Sequence, residues 1–219
     1  MPELPETETI ARGLDRAIAG ARIARVSVLH ADVLREISAA TFRRRLAGAR
    51  VGRTSRRAKL IVTELDNGLR LVVQPRFTGA LLVDDGALPD GARTHIAITL
   101  TFEDGRALHY ADVRRLGTVS LMRAERWRAY ESRLGREPLD PRFTPDLLSG
   151  LLRGSRQAVK KLLMDQRRLA GVGNIYATEA LWRAGVDPSR PGRAISPIEA
   201  SRLHGGLTSV LREAVAARG

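Results

Sequence analysis

The stretch at residues 60–73, LIVTELDNGLRLVV, predicts a β-hairpin and decides the class of the N-terminal half. Its apolar residues alternate or run in short groups, which is typical of strands with one buried face. Between the two runs lies Asp66-Asn67-Gly68, and an Asn-Gly pair favours a tight hairpin turn. The two strands are therefore expected to pair antiparallel.

Similar runs extend in both directions from this hairpin, with a second turn predicted at Glu103-Asp104-Gly105. Further strands are predicted around Ile23 to Val28, Ile96 to Leu100 and Val119 to Leu121. Ahead of them, Pro5 to Glu8 is typical of a helix start, and a helical stripe follows over Thr7 to Ala19. The pattern predicts an N-terminal helix and an antiparallel two-layer β-sandwich that ends at about Arg123.

After Ala124 the strand pattern gives way to helical periodicity. Helices are predicted at Glu125 to Arg133, Leu147 to Arg153, Gln157 to Asp165, Ile175 to Ala184 and Ser196 to Ala217. Thr144-Pro145 is typical of a capped start, and Ser196 with Glu199 forms a capping-box pattern. The predicted fold class is α+β, with a β-sandwich domain at residues 1–124, a linker at 125–140 and an all-helical domain at 141–219.

The charge of the chain indicates a polyanionic partner. Its 219 residues include 37 Lys and Arg against 24 Asp and Glu, a formal net charge of +13. Such an excess most often serves nucleic acid, although an arginine-rich composition is also typical of a GC-rich genome. Aromatic residues make up only 4% of the chain, which argues against a broad base-stacking platform for single strands.

The sequence contains no cysteine, which excludes disulfides and thiolate metal sites within these residues and fits a cytoplasmic location. The four histidines are scattered without ligand spacing, so we expect no metal and no other cofactor. No apolar run reaches transmembrane length, so no membrane partner is expected. With no apolar stripe left over for a partner, we expect a monomer.

The N-terminus, Met1-Pro2-Glu3-Leu4-Pro5-Glu6, carries the sharpest chemical pattern. Removal of Met1 would give Pro2 a free secondary amine, and an α-amino group titrates near neutrality. Attack of this amine on a sugar C1′ leaves an iminium with no N–H proton to lose, which acts as an electron sink for elimination. Glu3 is placed to act as a general acid or base. The alternative is an ordinary helix start.

Gly171-Val172-Gly173-Asn174 forms a glycine-flanked turn before a helix. Such a turn lets backbone approach a ligand, and the N–H groups of a helix N-terminus bind phosphate. Asn174 is a good cap and has a side-chain amide to donate. The alternative is a plain connection between two helices.

Four further residues, in three segments, are compatible with DNA binding. Lys59 directly precedes a predicted strand, so it is expected at a fixed point in a cleft, although a basic run is usually a solvated face. Phe77 lies in a turn, and Arg114 and Leu116 lie in another. An arginine with an apolar wedge suits the gap left when a nucleotide leaves a duplex.

Together these residues resemble the formamidopyrimidine-DNA glycosylase / endonuclease VIII family. The matching segments are Pro2 to Glu6, Arg56 to Lys59, Asp112 to Gly117, Leu163 to Gln166 and Gly171 to Ala177. They occur in the family's order across nearly the whole chain. Leu4 and the sequence of Gly171 to Ala177 favour the formamidopyrimidine branch.

The resemblance implies a β-sandwich and a helix-two-turn-helix domain, with duplex damaged DNA as the partner. It implies that Pro2 is the Schiff-base nucleophile, Glu3 the proton donor and acceptor, and Glu6 a supporting carboxylate. Lys59 would join these catalytic residues and, like Asn174, would hold phosphates around the flipped nucleotide. Arg114 would fill the void opposite the orphaned base. The strand would then be cleaved by β,δ-elimination. The remaining candidates for DNA contact are Gly173, Arg115, Phe77, Leu116, Gln74 and Arg156.

The chain departs from the family pattern at Phe77, where many members carry Met, at Leu116, where many carry Phe, and at Gln74, where many carry His. The family usually binds one zinc through a C-terminal finger, which is absent from these residues, so we expect a zincless or truncated member or a chain that continues. Three functions stay open: excision of oxidised purines, excision of oxidised pyrimidines as in endonuclease VIII, and DNA binding without catalysis.

Overall fold

The computed structural model describes residues 2–219, except for the side chains of Asp90 and Ala92. Met1, whose removal is expected from the sequence, lies outside the described residues. The chain divides into two compact units. The sandwich unit comprises Pro2, Ile10–Arg56 and Leu60–Arg128; the helical unit comprises Glu3–Thr9, Arg57–Lys59 and Ala129–Gly219.

The helices are α1 (Leu4–Ile18), α2 (Ala39–Leu46), α3 (Ala124–Glu131), α4 (Pro145–Leu152), α5 (Val159–Met164), α6 (Asn174–Ala184) and α7 (Pro197–Ala216). The strands are β1 (Ile23–Val28), β2 (Val51–Arg57), β3 (Leu60–Leu65), β4 (Leu69–Gln74), β5 (Gly79–Asp84), β6 (Ile96–Phe102), β7 (Ala107–Asp112) and β8 (Thr118–Arg123). Short 3-10 helices occupy Ala31–Val33, Asp90–Arg93 and Gly192–Ala194. No helix of the described residues is long and apolar enough to cross a membrane.

The sandwich unit contains two four-stranded sheets, with strand orders β1-β6-β7-β5 and β2-β3-β4-β8. The predicted hairpin forms in register, with Val62 opposite Val72 in the antiparallel pair β3–β4. Side chains from both sheets, such as Ile61 and Phe102, share one core and are at most 2% exposed. The predicted antiparallel sandwich is therefore confirmed, since each sheet buries one face against the other.

Four elements of the sandwich unit were not predicted, namely α2, β2, β5 and β7. α2 contains three consecutive arginines, yet Phe42 and Leu46 are 0% exposed and anchor it to the core. β2 ends in arginines, and β5 buries no residue completely. Two apolar anchors are enough to fix such a short element when tertiary contacts supply the rest.

The helical unit confirms the predicted caps. Thr144 accepts a hydrogen bond from the N–H of Leu147 at the start of α4, and Ser196 with Glu199 forms the capping box of α7. α1 begins at Leu4, ahead of the predicted Pro5 to Glu8 start. The cause is tertiary: Leu4 is 0% exposed in the core of the helical unit, and its N–H bonds to the carbonyl of Gly171 at 3.0 Å.

Candidate active site

Glu3 is the most constrained carboxylate of the helical unit, being only 2% exposed. One carboxylate oxygen accepts the N–H of Gly173 at 2.6 Å, and the other accepts the N–H of Ile175 at 3.0 Å. These donors belong to the first turn of α6, where backbone N–H groups have no partner within the helix. The positive end of the helix dipole also favours a negative charge there. Glu3 is thus fixed in place by backbone.

Lys59 lies in the turn between β2 and β3 and is 7% exposed. Burial lowers the pKa of its ammonium group below the ordinary value, and the negative charges of Glu3 and Glu6 oppose that shift. A Cβ placed on Gly173 would lie 2.4 Å from the Lys59 Nζ and 2.4 Å from the Glu3 carboxyl carbon. The Lys59 ammonium group and the Glu3 carboxylate therefore both lie next to Gly173, at a position where any side chain would clash with them.

Glu6 connects two parts of this site. Its Oε2 accepts the N–H of Glu3 at 2.8 Å, and its Oε1 accepts the hydroxyl of Tyr176 at 2.6 Å. Burial and the neighbouring Glu6 carboxylate raise the pKa of Tyr176 well above its usual value, so the phenol stays a neutral donor. Tyr176 was not predicted from the sequence. Its position three residues after Gly173, on one face of the helix start, was the available signal.

The turn that carries Lys59 is held by Glu137, which was not predicted from the sequence either. Glu137 Oε1 accepts the N–H of Ala58 at 2.8 Å and bonds to Nη1 of Arg57 at 2.7 Å. Ala58 has a φ of +54°, a left-handed conformation that is unfavourable for alanine. A carboxylate that binds the N–H at that position stabilises the turn. Contacts of this kind, almost eighty residues apart, leave no pattern in the sequence.

The loop before α6 is held by Gln166. Its side-chain amide donates to the carbonyls of Met164 at 2.9 Å and Val172 at 2.7 Å, and its oxygen accepts the N–H of Gly171 at 2.8 Å. Gly171 has a φ of +85°, and a Cβ there would meet the side chain of Leu4 at 2.9 Å. The first glycine of the turn therefore serves close packing against Leu4.

The prediction that Asn174 caps α6 is wrong. The N-cap is Gly173, which has no side-chain bond, and Asn174 is the first helical residue and exposed. Two of the N–H groups expected to bind phosphate are taken by Glu3 instead. The Glu3 carboxylate does what a capping side chain would do, so Asn174 is left with its side chain free to face a ligand.

The predicted void-filling residues lie in the sandwich unit. Phe77 is 55% exposed and Leu116 is 38% exposed. The guanidinium carbon of Arg114 lies 5.3 Å from the centroid of the Phe77 ring, within the range of a cation–π contact. Arg115 binds Asp32 at 2.7 Å, and Gln74 ends β4.

Pro2 is half-buried and directly precedes Glu3 in the chain. Arg156 is exposed between α4 and α5. Within the part of the chain that the structure describes, no group of three or more His, Cys, Asp or Glu could hold a metal ion. The zinc that the resemblance implies needs cysteine thiolates, and these 219 residues contain none, so they do not fit that group.

Two protein-family models match this chain, one in each half. Residues 1–119 match the model of the formamidopyrimidine-DNA glycosylase N-terminal domain, and residues 134–219 match that of the formamidopyrimidine-DNA glycosylase H2TH domain. A formamidopyrimidine-DNA glycosylase from Moorella thermoacetica is 42% identical over 221 residues, covering 100% of this chain and 80% of the relative. One from Roseiflexus sp. is 42% identical, covering 98% and 78%.

Solved structures of the Lactococcus lactis formamidopyrimidine-DNA glycosylase are similar over the whole chain. The form non-covalently bound to DNA with an AP site has a TM-score of 0.91 at 30% identity, covering 99% of this chain and 83% of that one. A mutant in complex with DNA containing Fapy-dG has a TM-score of 0.92 at 30% identity, covering 100% and 80%. The resemblance inferred from the sequence is thereby confirmed, and the chain belongs to the formamidopyrimidine-DNA glycosylase family, the DNA glycosylases of base excision repair.

Proposed function

We propose that this chain is a bifunctional DNA glycosylase and AP lyase that excises oxidised purines, formamidopyrimidine and 8-oxoguanine, from duplex DNA. One observation carries the proposal: the Glu3 carboxylate is held by two backbone N–H groups and converges with buried Lys59 on Gly173. This arrangement suits proton transfer at a substrate bound next to the N-terminus. The Lactococcus lactis relatives, bound to DNA with an AP site or with Fapy-dG, support the choice of substrate.

In the proposed reaction the unprotonated Pro2 nitrogen attacks C1′ of the damaged nucleotide while the bond from C1′ to the base breaks. Opening of the sugar ring then gives an iminium. The amine and one acid supply the two protons that end on the departing base and on O4′. The iminium accepts the electrons of the C2′–H bond when a proton leaves C2′, and the resulting enamine returns them to expel the 3′ phosphate. Loss of a proton from C4′ then drives a second elimination that releases the 5′ phosphate. Glu3 is the proposed proton donor and acceptor, and Glu6 fixes its backbone.

The remaining site residues are proposed as DNA contacts. Lys59 serves the reacting nucleotide, because it is buried beside Glu3, and exposed Asn174 serves a flanking phosphate. Arg114, with Phe77 and Leu116, is proposed to fill the gap left by the extruded nucleotide. The other proposed contacts are Gln74, Arg115, Arg156 and Gly173.

The division into a catalytic domain at residues 1–124, a linker at 125–140 and a DNA-binding domain at 141–219 also stays a proposal, as do the monomeric state and the cytoplasmic location. The net charge of +13 supports DNA as the partner. Within these residues we propose no cofactor.

The test is covalent trapping with borohydride on a duplex that contains an abasic site. The wild-type chain is expected to form a protein–DNA adduct, and Pro2→Gly and Glu3→Gln are expected to lose it. Glu179→Gln, an equivalent change at an exposed position of α6, is the matched control and should trap normally. Mass spectrometry of the same sample must show that Met1 is gone. DNA binding without any adduct would favour a non-catalytic relative.

Oxidised pyrimidines are a second candidate substrate, favoured by the departures at Gln74, Phe77 and Leu116. These positions are proposed to face the opposite strand or the intercalation site, where lesion search and base preference are decided. Parallel nicking assays on duplexes with 8-oxoguanine and with thymine glycol separate the two. Faster cleavage at thymine glycol would reverse the assignment.

A further inference from the structure

Asp112, at the end of β7, is a buried carboxylate that the proposed chemistry does not use. It is 2% exposed. One oxygen accepts the hydroxyl of Thr78 at 2.5 Å and the N–H of Arg114 at 3.2 Å. The other accepts the N–H of Gly117 at 2.8 Å and the hydroxyl of Tyr110 at 3.0 Å. A single side chain thus binds the turn that carries Phe77 and the turn that carries Arg114.

The carboxylate is ionised at neutral pH. Burial alone would raise the pKa of Asp112, but the hydrogen bonds from Thr78, Gly117, Tyr110 and Arg114 outweigh burial and lower the pKa below its usual value. All four contacts are donors that point at an acceptor-only group. An uncharged side chain of the same shape could not satisfy all of them.

Both turns hold conformations that ordinary residues rarely adopt. Arg76 has a φ of +54° and Arg115 a φ of +48°. Such residues persist only where the surroundings determine them. The turns also pack tightly around the Tyr110 hydroxyl, because a Cβ would lie 2.7 Å from it at Gly79 and 1.9 Å from it at Gly117. The anchor for both turns is the same buried group, Asp112.

We propose that Asp112 is a positioning residue that holds Phe77 and Arg114 in register, so that the pair is assembled before DNA is bound. The inference rests on the proposed function, in which these two side chains occupy the space of an extruded nucleotide. Thr78 is the bridge, since its hydroxyl donates to Asp112 and accepts the N–H of Arg114 at 3.1 Å. The Arg114 guanidinium then stacks on the Phe77 ring at 5.3 Å. Asp112 itself need not touch DNA.

The test compares borohydride trapping on an abasic site in a duplex with trapping on the same oligonucleotide as a single strand. Void filling matters only in the duplex, whereas Schiff-base formation occurs on both. For Asp112→Asn the trapping rate on the duplex is expected to fall about tenfold relative to the rate on the single strand, the effect of losing one charge-assisted hydrogen bond. Thermal unfolding of the variant establishes that it is folded.

A second pair of variants keeps the test decisive if Asp112→Asn does not fold. Thr78→Val removes the bridging hydroxyl with little change in volume, and Thr78→Ser retains it. The valine variant should show the duplex-specific loss, and the serine variant should restore wild-type trapping. Equal loss on both substrates, or no loss on either, would overturn the inference while leaving the glycosylase proposal intact. A wild-type chain that traps neither substrate would overturn both.

Discussion

Gly173 is the point at which the candidate site is most sensitive to a single added methyl group. Its backbone has φ −130° and ψ −154°, which alanine also adopts, so Gly173→Ala introduces no backbone strain. The new Cβ would instead lie 2.4 Å from the Glu3 carboxyl carbon and 2.4 Å from the Lys59 Nζ. Both distances are too short for real contacts, so the carboxylate and the ammonium group must both move or the turn itself must shift.

The expected loss follows from the contacts that hold Glu3. Its hydrogen bonds to the N–H groups of Gly173 at 2.6 Å and Ile175 at 3.0 Å are charge-assisted, and each contributes about 1.5–3 kcal/mol. Losing one of them at the reacting geometry slows trapping by about 10- to 100-fold. Overpacking also costs about 1–3 kcal/mol of unfolding free energy, which lowers the Tm by several degrees.

The assay is single-turnover borohydride trapping on an abasic duplex, with a mobility shift on an uncleavable abasic analogue to measure binding separately. Gly205→Ala in α7 is the matched control, because no atom lies within 4 Å of a Cβ at that position. A helix gains about 0.5–1 kcal/mol from this change, so the control should be slightly more stable and trap normally. A Gly173→Ala variant that traps at the wild-type rate would refute the assigned geometry.

The remaining predictions concern supporting contacts. Tyr176→Phe removes the hydroxyl that donates to Glu6 at 2.6 Å, so trapping should slow by about fivefold at unchanged circular dichroism, and an unchanged rate would contradict the role given to Tyr176. Ser196→Ala removes the cap of α7, so the Tm should fall by about 2–4 °C while trapping persists; an unaltered Tm would count against the capping box. The Arg190 guanidinium and the N-terminus of α7 hold the pKa of the Glu199 carboxyl at about 2 against an ordinary 4.5. A carboxyl group whose pKa is lowered in the folded state stabilises the fold at pH values above its ordinary pKa, so Glu199→Gln should be less stable than wild type at pH 7. In urea unfolding, the difference in unfolding free energy between wild type and variant should shrink as the pH falls from 4.5 towards 2. A pH-independent gap would argue against that ion pair.

The sequence predicted those parts of the fold that depend on local rules. The β3–β4 hairpin and the caps at Thr144 and Ser196 are set by a few adjacent residues, and all of them formed as expected. The elements that were not predicted depend instead on contacts between residues far apart in the sequence. α2 is an arginine-rich helix that exists because Phe42 and Leu46 are completely buried, and neither residue stands out in the sequence.

The candidate site divides in the same way. Glu3 and Glu6 could be proposed from the sequence because they lie near the N-terminus and match a known family. The residues that hold them in place were missed, because Tyr176 and Glu137 act through contacts with chain segments far away in the sequence. A sequence motif therefore indicates candidate reacting groups without showing what fixes their orientation.

The wrong prediction that Asn174 caps α6 bears on which groups the N-terminus of this helix binds. A helix N-terminus can bind one anion well, and in α6 the anion is the Glu3 carboxylate of the chain itself. Two of the backbone N–H groups are therefore not open to a DNA phosphate, whereas the side chain of Asn174 at this turn is exposed. Lys59 is buried next to the same carboxylate, which is consistent with its proposed role at the reacting nucleotide. The turn is therefore better suited to fixing the Glu3 carboxylate, the proposed proton donor, than to binding phosphate.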